Sequence, residues 1–373
     1  MDILILSIGF RPNIGGLETH LTDLTGQLVK KIKVMVVTLS PITTKVKAKV
    51  VERSKNLVIW RVPWYGGGLF YKLQKYYFLE FIYLIPPLFA GLLWALIRYP
   101  GIKVIHAQGL SGAIAALLLG KVFRKRLVVS THFVFHFKND FFGMFSRFIF
   151  SNFDRVLCVS LASRGEMAKL GVPKEKLGKC AYWVNLDMFK PMNKLKAKKA
   201  VEWPDDFSVM FIGRLVAEKG VRELLEAVPD ISKDIQVYIV GDGPLRERVQ
   251  KVADKSSNLH YLGRIDNAMT PVYYSAADLV VVPSYEETLG KVSMEAFGCG
   301  TPVVASSAGG IKEVVNDSVG ILIDVKASQI SSAINKLYED QKLYERLQKN
   351  TRAHVQKYYS SKNAEVFLKE YGY

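Results

Sequence analysis

Short apolar runs alternate with longer stretches of helical periodicity along most of the chain. Runs of strand length predict strands near residues 2–8, 33–39, 57–62, 103–107, 127–131 and 155–159. The alternation then restarts, with strands predicted near 207–213, 236–241, 278–283, 302–306 and 319–323. Strands separated by helical patterns imply parallel sheets built of βαβ units. Two successive series imply an α/β protein with two doubly wound domains. The expected boundary is the charged stretch from Lys190 to Asp206, which contains Lys194, Lys196, Lys198 and Lys199. This gives a first domain over 1–190 and a second over 191–357. From Gln341 onward the pattern predicts two polar-faced helices.

One segment departs from this pattern. Phe81 to Ile97 carries no charged residue, is flanked by Glu80 and Arg98, and is interrupted by Pro86-Pro87. A spanning helix needs about 20 apolar residues, so this run is short for that role. Lys72, Lys75, Arg98 and Lys103 lie nearby, and a second apolar stretch, FFGMFSRFIF, carries Arg147. Bulky apolar residues beside basic ones suit an interfacial helix, and the same pattern suits a helix buried against a sheet.

At 373 residues the chain is long enough for two cores. Its net charge of +17 is uneven: residues 1–191 hold 27 Lys and Arg against 10 Asp and Glu, while residues 192–373 hold 24 of each. A field confined to one half attracts anionic lipid headgroups, phosphorylated substrates or nucleic acid. The aromatics of that half sit in unbroken apolar runs rather than interleaved with basic residues, which argues against nucleic acid. The three cysteines, Cys158, Cys180 and Cys299, are far apart and lack metal-type spacing, as expected in a reducing compartment. MDILILSIGF has no basic leader and is expected to be a buried first strand.

Candidate chemistry gathers where predicted strands end. In PSYEETLGKVSMEAFGCGTPVVAS, Glu287 follows an apolar strand, Gly290 opens a helix, and Glu295 lies on that helix. A carboxylate accepts two hydrogen bonds from a vicinal diol, and a helix N-terminus favours phosphate. The segment therefore offers sugar, diphosphate and ribose contacts in order, which outlines a nucleotide-sugar. Arg214 ends the strand of VMFIGRLVAEKG and Lys219 precedes the next helix; two cations there suit a diphosphate leaving group. Gly15 and Gly16, in RPNIGGLETH, allow close backbone approach at another helix start. His132 ends the strand of LVVSTH, and His106, in VIHAQG, is similarly placed. The G-x-G-x-x-G spacing of dinucleotide dehydrogenases is absent. So is any D-x-D pair that would hold a metal-bound diphosphate.

With these residues in view, the chain resembles the retaining GT-B glycosyltransferases, and more closely the group 1 family of bacterial mannosyl- and glucosyltransferases. The matching segments run through the whole chain: PNIGGLETHL, VIHAQG, VVSTH, VLCVSLASRGEMAKLGV, FIGRLVAEKG, VGDGPLR, YLGRI, YYSAADLVVVPSYEETLGKVSMEAFGCGTPVVAS and GGIKEVV. The resemblance implies two Rossmann-like domains facing across a cleft, with the last helix, about 358–373, returning to the first. It also implies that Gly15 and Gly16 line the donor phosphates and that His132 sits beside the donor sugar. Arg214 and Lys219 would grip the diphosphate, and Glu287 would bind sugar hydroxyls. The N–H groups of Leu289, Gly290 and Lys291 would meet the phosphates, Glu295 would bind the ribose, and Arg264 and Ile265 would lie along the base.

The implied reaction is glycosyl transfer with retention, without metal or cofactor, from a UDP- or GDP-linked sugar. The expected acceptor is lipid-linked or membrane-associated, and the expected location is the cytoplasmic face of a membrane. Tyr182-Trp183-Val184-Asn185 stands where the family usually has Asn-Gly-Val-Asp. Lys291 is an added charge that either meets phosphate or faces solvent. The competing readings are a nucleotide-sugar epimerase or other enzyme of the same fold, and a non-enzymatic polyanion-binding module.

Overall fold

The computed structural model describes residues 1–13, 15–42, 44, 46–66, 69–73, 76–132, 140–180 and 182–373. Lys75 lies outside them. The chain divides into two units, Met1–Tyr182 with Lys362–Tyr373, and Trp183–Ser361.

The first unit runs β1 (Ile3–Leu6), α1 (Gly16–Leu28), β2 (Val34–Leu39), β3 (Val51–Ser54), β4 (Leu57–Val62), α2 (Leu69–Leu73), α3 (Tyr77–Arg98), β5 (Val104–Gln108), α4 (Gly109–Val122), β6 (Arg126–Thr131), α5 (Phe141–Ser151), β7 (Arg155–Cys158), α6 (Leu161–Lys169) and β8 (Leu177–Lys179). Its sheet has the order β3-β4-β2-β1-β5-β6-β7-β8. Every pairing is parallel except β3 with β4. β1, β2 and β5 are buried at every position, which is why they read as continuous apolar runs. Side chains alternate between the two faces. Leu4, Leu6, Met35, Val37, Ile105 and Ala107 share one core with Leu84, Leu88 and Leu92 of α3.

The second unit runs α7 (Lys194–Ala200), β9 (Phe207–Ile212), α8 (Val221–Ala227), β10 (Ile235–Val240), α9 (Arg246–Ala253), β11 (Leu259–Gly263), α10 (Thr270–Ala276), β12 (Leu279–Val282), α11 (Lys291–Gly298), β13 (Val303–Ser306), α12 (Ile311–Val314), β14 (Gly320–Ile323), α13 (Ala327–Glu339) and α14 (Gln341–Tyr358). Its sheet is parallel throughout, in the order β11-β10-β9-β12-β13-β14. α15 (Ala364–Tyr371) then belongs to the first unit, where it packs against α1 and β6.

Strand order reverses beside β1 and again beside β9. Such switch points open crevices at the carboxyl ends of the strands. The loops that leave β1, β5, β9 and β12 therefore define where each unit can hold a ligand.

Several expectations change. The strands β3, β8 and β11 add to those read from sequence, and β3 makes the first sheet mixed rather than wholly parallel. The units divide at Tyr182/Trp183 instead of near residue 190. Arg352 of α14 explains the shift: it donates to the carbonyls of Leu186 at 3.0 Å, Phe189 at 2.5 Å and Gly298 at 2.7 Å, fastening residues 186–189 to the second unit. The lysine-rich stretch is α7 rather than a linker. Lys198 is buried and pairs with Asp278 at 3.0 Å, and Lys194 meets the same carboxylate at 2.6 Å.

The Phe81–Ile97 run forms most of α3, with Pro86 and Pro87 inside it. The described stretch Leu79–Arg98 is long and apolar enough to cross a membrane. Even so, Leu84, Leu88, Leu92 and Leu96 are fully buried in the core. The opposite stripe, Leu79, Ile82, Trp94 and Ile97, is exposed and also apolar.

Candidate functional site

In the second unit, Arg214 stands just past β9 and is exposed, and Lys219 closes a short 3-10 turn over Ala217–Lys219. The loop after β12 is tied to that turn by Tyr285 N–H donating to the Glu218 carbonyl at 2.9 Å. This brings Lys219 Nζ onto Glu287 Oε2 as an ion pair, with the two side chains 21% and 19% exposed. Both side chains are partly buried, so solvent screens the pair less than one at the open surface. Glu287 is further held by its carbonyl, which accepts from Gly310 N–H at 3.0 Å.

Gly290 is the N-cap of α11 at φ 87, ψ 54, a left-handed conformation that favours glycine. It turns the chain so that α11 begins at Lys291 with its first N–H groups lacking partners within the helix. Leu289 is buried, and Ser293 Oγ, one turn in and also buried, has no hydrogen-bond partner among the described residues. Glu295 lies on α11 with Oε2 accepting from Tyr274 O–H at 2.9 Å and Oε1 3.9 Å from Lys291 Nζ. That proximity holds the tyrosine neutral, because burial and the carboxylate both push its pKa well above 10. Arg264 and Ile265 follow β11 at the edge of the sheet, the first exposed and the second half-buried.

In the first unit, Gly15 is the N-cap of α1 and Gly16 its first residue. The Glu18 carboxylate is tucked against the backbone of Gly9 and Gly15. A Cβ at Gly9 would come within 2.5 Å of Glu18 Oε1, and one at Gly15 closer still to Oε2. Burial pushes the Glu18 carboxyl above its ordinary 4.5.

His132 is buried, with Nε2 2.6 Å from Gln108 Oε1 and Nδ1 2.7 Å from Tyr182 Oη. With the amide oxygen facing it, Nε2 carries the proton and Nδ1 accepts from the tyrosine. Burial lowers the imidazole to about 3, so it is neutral at physiological pH. The Tyr182 ring stacks on His20 at 3.8 Å between centroids and 8° between planes. His132 therefore has both nitrogens engaged by the protein, where the resemblance implies a place beside the donor sugar. His106 is structural: Nδ1 is 2.7 Å from Tyr371 Oη on α15 and Nε2 2.7 Å from Ser130 Oγ.

The residues named from sequence thus fall into two sets. Gly15, Gly16 and His132 are in the first unit; Arg214, Lys219, Arg264, Ile265, Glu287, Leu289, Gly290, Lys291 and Glu295 are in the second. Lys219 with Glu287 and Lys291 with Glu295 are brought into contact. Sequence reasoning missed Glu18, Gln108, Tyr182 and Tyr274. Tyr182 had a signal, since it opens the segment that departs from the family pattern, but attention there falls on the larger change at Trp183.

Two doubly wound sheets in one chain, with helix starts at their carboxyl edges, are the architecture of the GT-B fold. Residues 193–354 match the family model described as "Glycosyl transferases group 1", and residues 14–178 match "Glycosyltransferase Family 4". The chain belongs to the group 1 glycosyltransferases.

It is 29% identical to alpha-D-kanosaminyltransferase of Streptomyces kanamyceticus over 52% of this chain and 54% of that protein. The chain spans about half the length, or less, of curated relatives such as this one. Two uncharacterised glycosyltransferases of Methanocaldococcus jannaschii are matched over 94% and 97% of their length at 26% and 25% identity. Among solved structures, sucrose-phosphate synthase from Thermosynechococcus elongatus superposes with a TM-score of 0.81 at 22% identity, covering 99% of this chain and 97% of that one. HepE from Anabaena in complex with UDP-glucose does so with a TM-score of 0.75 at 20% identity, covering all of both chains. At these identities the likeness is one of fold.

Proposed function

We propose that the protein transfers a glycosyl group from a nucleotide-diphosphate sugar, UDP- or GDP-linked, to an acceptor hydroxyl with retention of anomeric configuration and without a metal ion. The observation that carries this reading is the Lys219–Glu287 ion pair beside the start of α11. A diphosphate takes Lys219 and Arg214 as counter-charges. Glu287, released from the lysine, turns its oxygens to sugar hydroxyls. The N–H groups of Leu289, Gly290 and Lys291 meet phosphate oxygens, Glu295 accepts from the ribose, and Arg264 and Ile265 flank the base. The HepE structure holds UDP-glucose, which supports the donor class.

The bond from the anomeric carbon to the diphosphate oxygen breaks as the acceptor oxygen attacks from the same face, through an oxocarbenium-like state. The acceptor proton passes to the departing phosphate. Arg214 and Lys219 stabilise the charge that develops on the diphosphate, the role a metal would otherwise have. In the first unit, Gly15 and Gly16 leave the start of α1 open to a phosphate. His132 is held as a neutral imidazole, and its ring reaches a hydroxyl only by giving up Gln108 or Tyr182.

The acceptor is proposed to be lipid-linked, with the first unit resting peripherally on the cytoplasmic face of an anionic membrane. Three features support this: the confinement of the net charge to residues 1–191, the exposed apolar stripe of α3, and exposed apolar residues on α4, which packs on α3, and on α5, which packs on α4. Leu118 and Val122 on α4 and Phe141, Met144 and Phe148 on α5 are each at least 60% exposed.

A donor screen by thermal shift tests the reading, followed by transfer assays with the stabilising nucleotide-sugar, lipid acceptors and a metal chelator. Stabilisation by one nucleotide-sugar and chelator-resistant transfer, with the donor's anomeric configuration kept in the product, is the expected result. No binding and no turnover across the panel refutes the enzyme. Activity lost to the chelator and restored by a divalent cation refutes metal independence. Liposome sedimentation at low salt reads the membrane arm, and absence of binding there removes it.

A further inference from the structure

A basic pocket in the first unit, separate from the residues above, has no assigned role. Arg61 on β4 is 2% exposed, one of the largest fully buried side chains in the protein. Burying a guanidinium is expensive unless its donors are satisfied. Here Nη1 donates to the Lys49 carbonyl at 2.8 Å, Nη2 donates to the Arg11 carbonyl at 2.7 Å, and Nη1 lies 2.7 Å from Glu52 Oε1. One buried cation therefore fastens the loop after β1 to the segment that leads into β3. Between them lies a cavity of about 570 Å³ lined by Arg11, Lys47, Lys49, Glu52, Arg53 and Arg61.

The charges in that lining do not cancel. Glu52 is shared by Arg61 and Arg11, the latter at 3.4 Å. Lys47, Lys49 and Arg53 have no acidic partner among the described residues. Gathering so many like charges on one concave surface destabilises the fold by repulsion unless an anion joins them. The volume is in the range of ligand pockets, and arginine forks and lysine ammonium groups suit phosphate oxygens.

We infer that this pocket binds a phosphate monoester or diphosphate, the anionic group of the acceptor. Naming the acceptor as its carrier rests on the transferase reading; binding of phosphate at this place does not.

The test uses the full chain with its donor site saturated by a nucleoside diphosphate, and inorganic pyrophosphate titrated calorimetrically at low salt. Wild type should show a second binding event. The triple variant Lys47→Ala, Lys49→Ala, Arg53→Ala changes exposed side chains only. It should weaken that event by about tenfold or more, as expected for the loss of three charge-assisted contacts, while its affinity for the nucleoside diphosphate stays unchanged. No second event in wild type, or an unaltered one in the variant, overturns the inference.

If the nucleoside diphosphate itself fails to bind, the donor reading falls, and pyrophosphate titrated into wild type and variant still reads the pocket. Phosphatidylglycerol vesicles distinguish the source of the phosphate. Vesicle binding that falls in parallel with pyrophosphate binding points to a lipid headgroup. Vesicle binding left intact while pyrophosphate binding falls points to a phosphate on a soluble acceptor.

Discussion

The carboxyl edge of the second sheet holds two ion pairs, Lys219 with Glu287 and Lys291 with Glu295, whereas the same edge of the first holds the packed rings of His20, His132 and Tyr182. Both edges come from the same winding of strands and helices, so the scaffold does not dictate the difference. It follows from what each loop carries. Paired ions can be exchanged for a charged ligand at modest cost, because phosphate replaces the carboxylate at the lysine and the released carboxylate accepts from hydroxyls. A buried network of neutral hydrogen bonds instead fixes geometry and resists protonation. The comparison assigns grip to one unit and alignment to the other.

That contrast can be broken experimentally. The largest effect is expected at Glu287, where Glu287→Gln should cut turnover by about 100-fold or more, the range for removing one preorganised electrostatic contact. The melting temperature should stay near that of wild type, and near-normal turnover would falsify the assigned role.

Next in size is the pH dependence of the first unit. His106 and His132 both have imidazoles lowered to about 3, by burial in each and for His106 also by the neighbouring His132. Unfolded histidine binds a proton near 6.5, so between about 3 and 6.5 the unfolded chain holds more protons than the folded one. Stability therefore rises with pH through this window, by up to about 1.4 kcal/mol per pH unit for each histidine, and levels off above it. Glu18, raised by burial, works in the opposite sense, so the slope is best measured in a Glu18→Gln background. Hydrogen exchange in β5 and β6 reads it, and protection that is flat between pH 4 and 6.5 removes the neutral-ring account.

Tyr182→Phe removes the hydroxyl that serves His132 Nδ1 and leaves a buried acceptor unpaired, at an expected cost of about 1–3 kcal/mol in urea denaturation. A change below the precision of the measurement would mean the contact does not hold the ring. The smallest effect is expected at Lys291, whose ammonium sits 3.9 Å from Glu295. Lys291→Ala should weaken nucleoside diphosphate binding by a few-fold, within the roughly 1 kcal/mol range of partly exposed pairs, and less at high salt. Equal loss at all salt concentrations would argue against a charge effect.

The central strands were legible because burial on both faces leaves an unbroken apolar run. β3, β8 and β11 were not, since each is an edge strand: VERS is mostly exposed, LGK spans three residues, and LHYLG is half-buried over most of its length. The lysines of α7 read as a linker because their partner, Asp278, lies some eighty residues away and nothing local announces it. The same reason hid Gln108 and Tyr182. Their contacts with His132 cross 24 and 50 residues, a distance over which periodicity carries no information. Glu287, Gly290 and Lys219 were readable because strand ends and helix starts mark them locally.

α15 closes the first unit with residues made after the whole of the second. Tyr371 supplies the hydroxyl that His106 needs, and Arg155 of β7 is bonded to Glu370, with Nε 2.5 Å from Oε2. During synthesis the first sheet must wait on the ribosome with these groups unpaired until residues 362–373 emerge, while the intervening unit has all of its chain and can fold first. Completion of the first unit thus depends on residues 362–373, and a chain cut before them lacks the partners of His106 and Arg155.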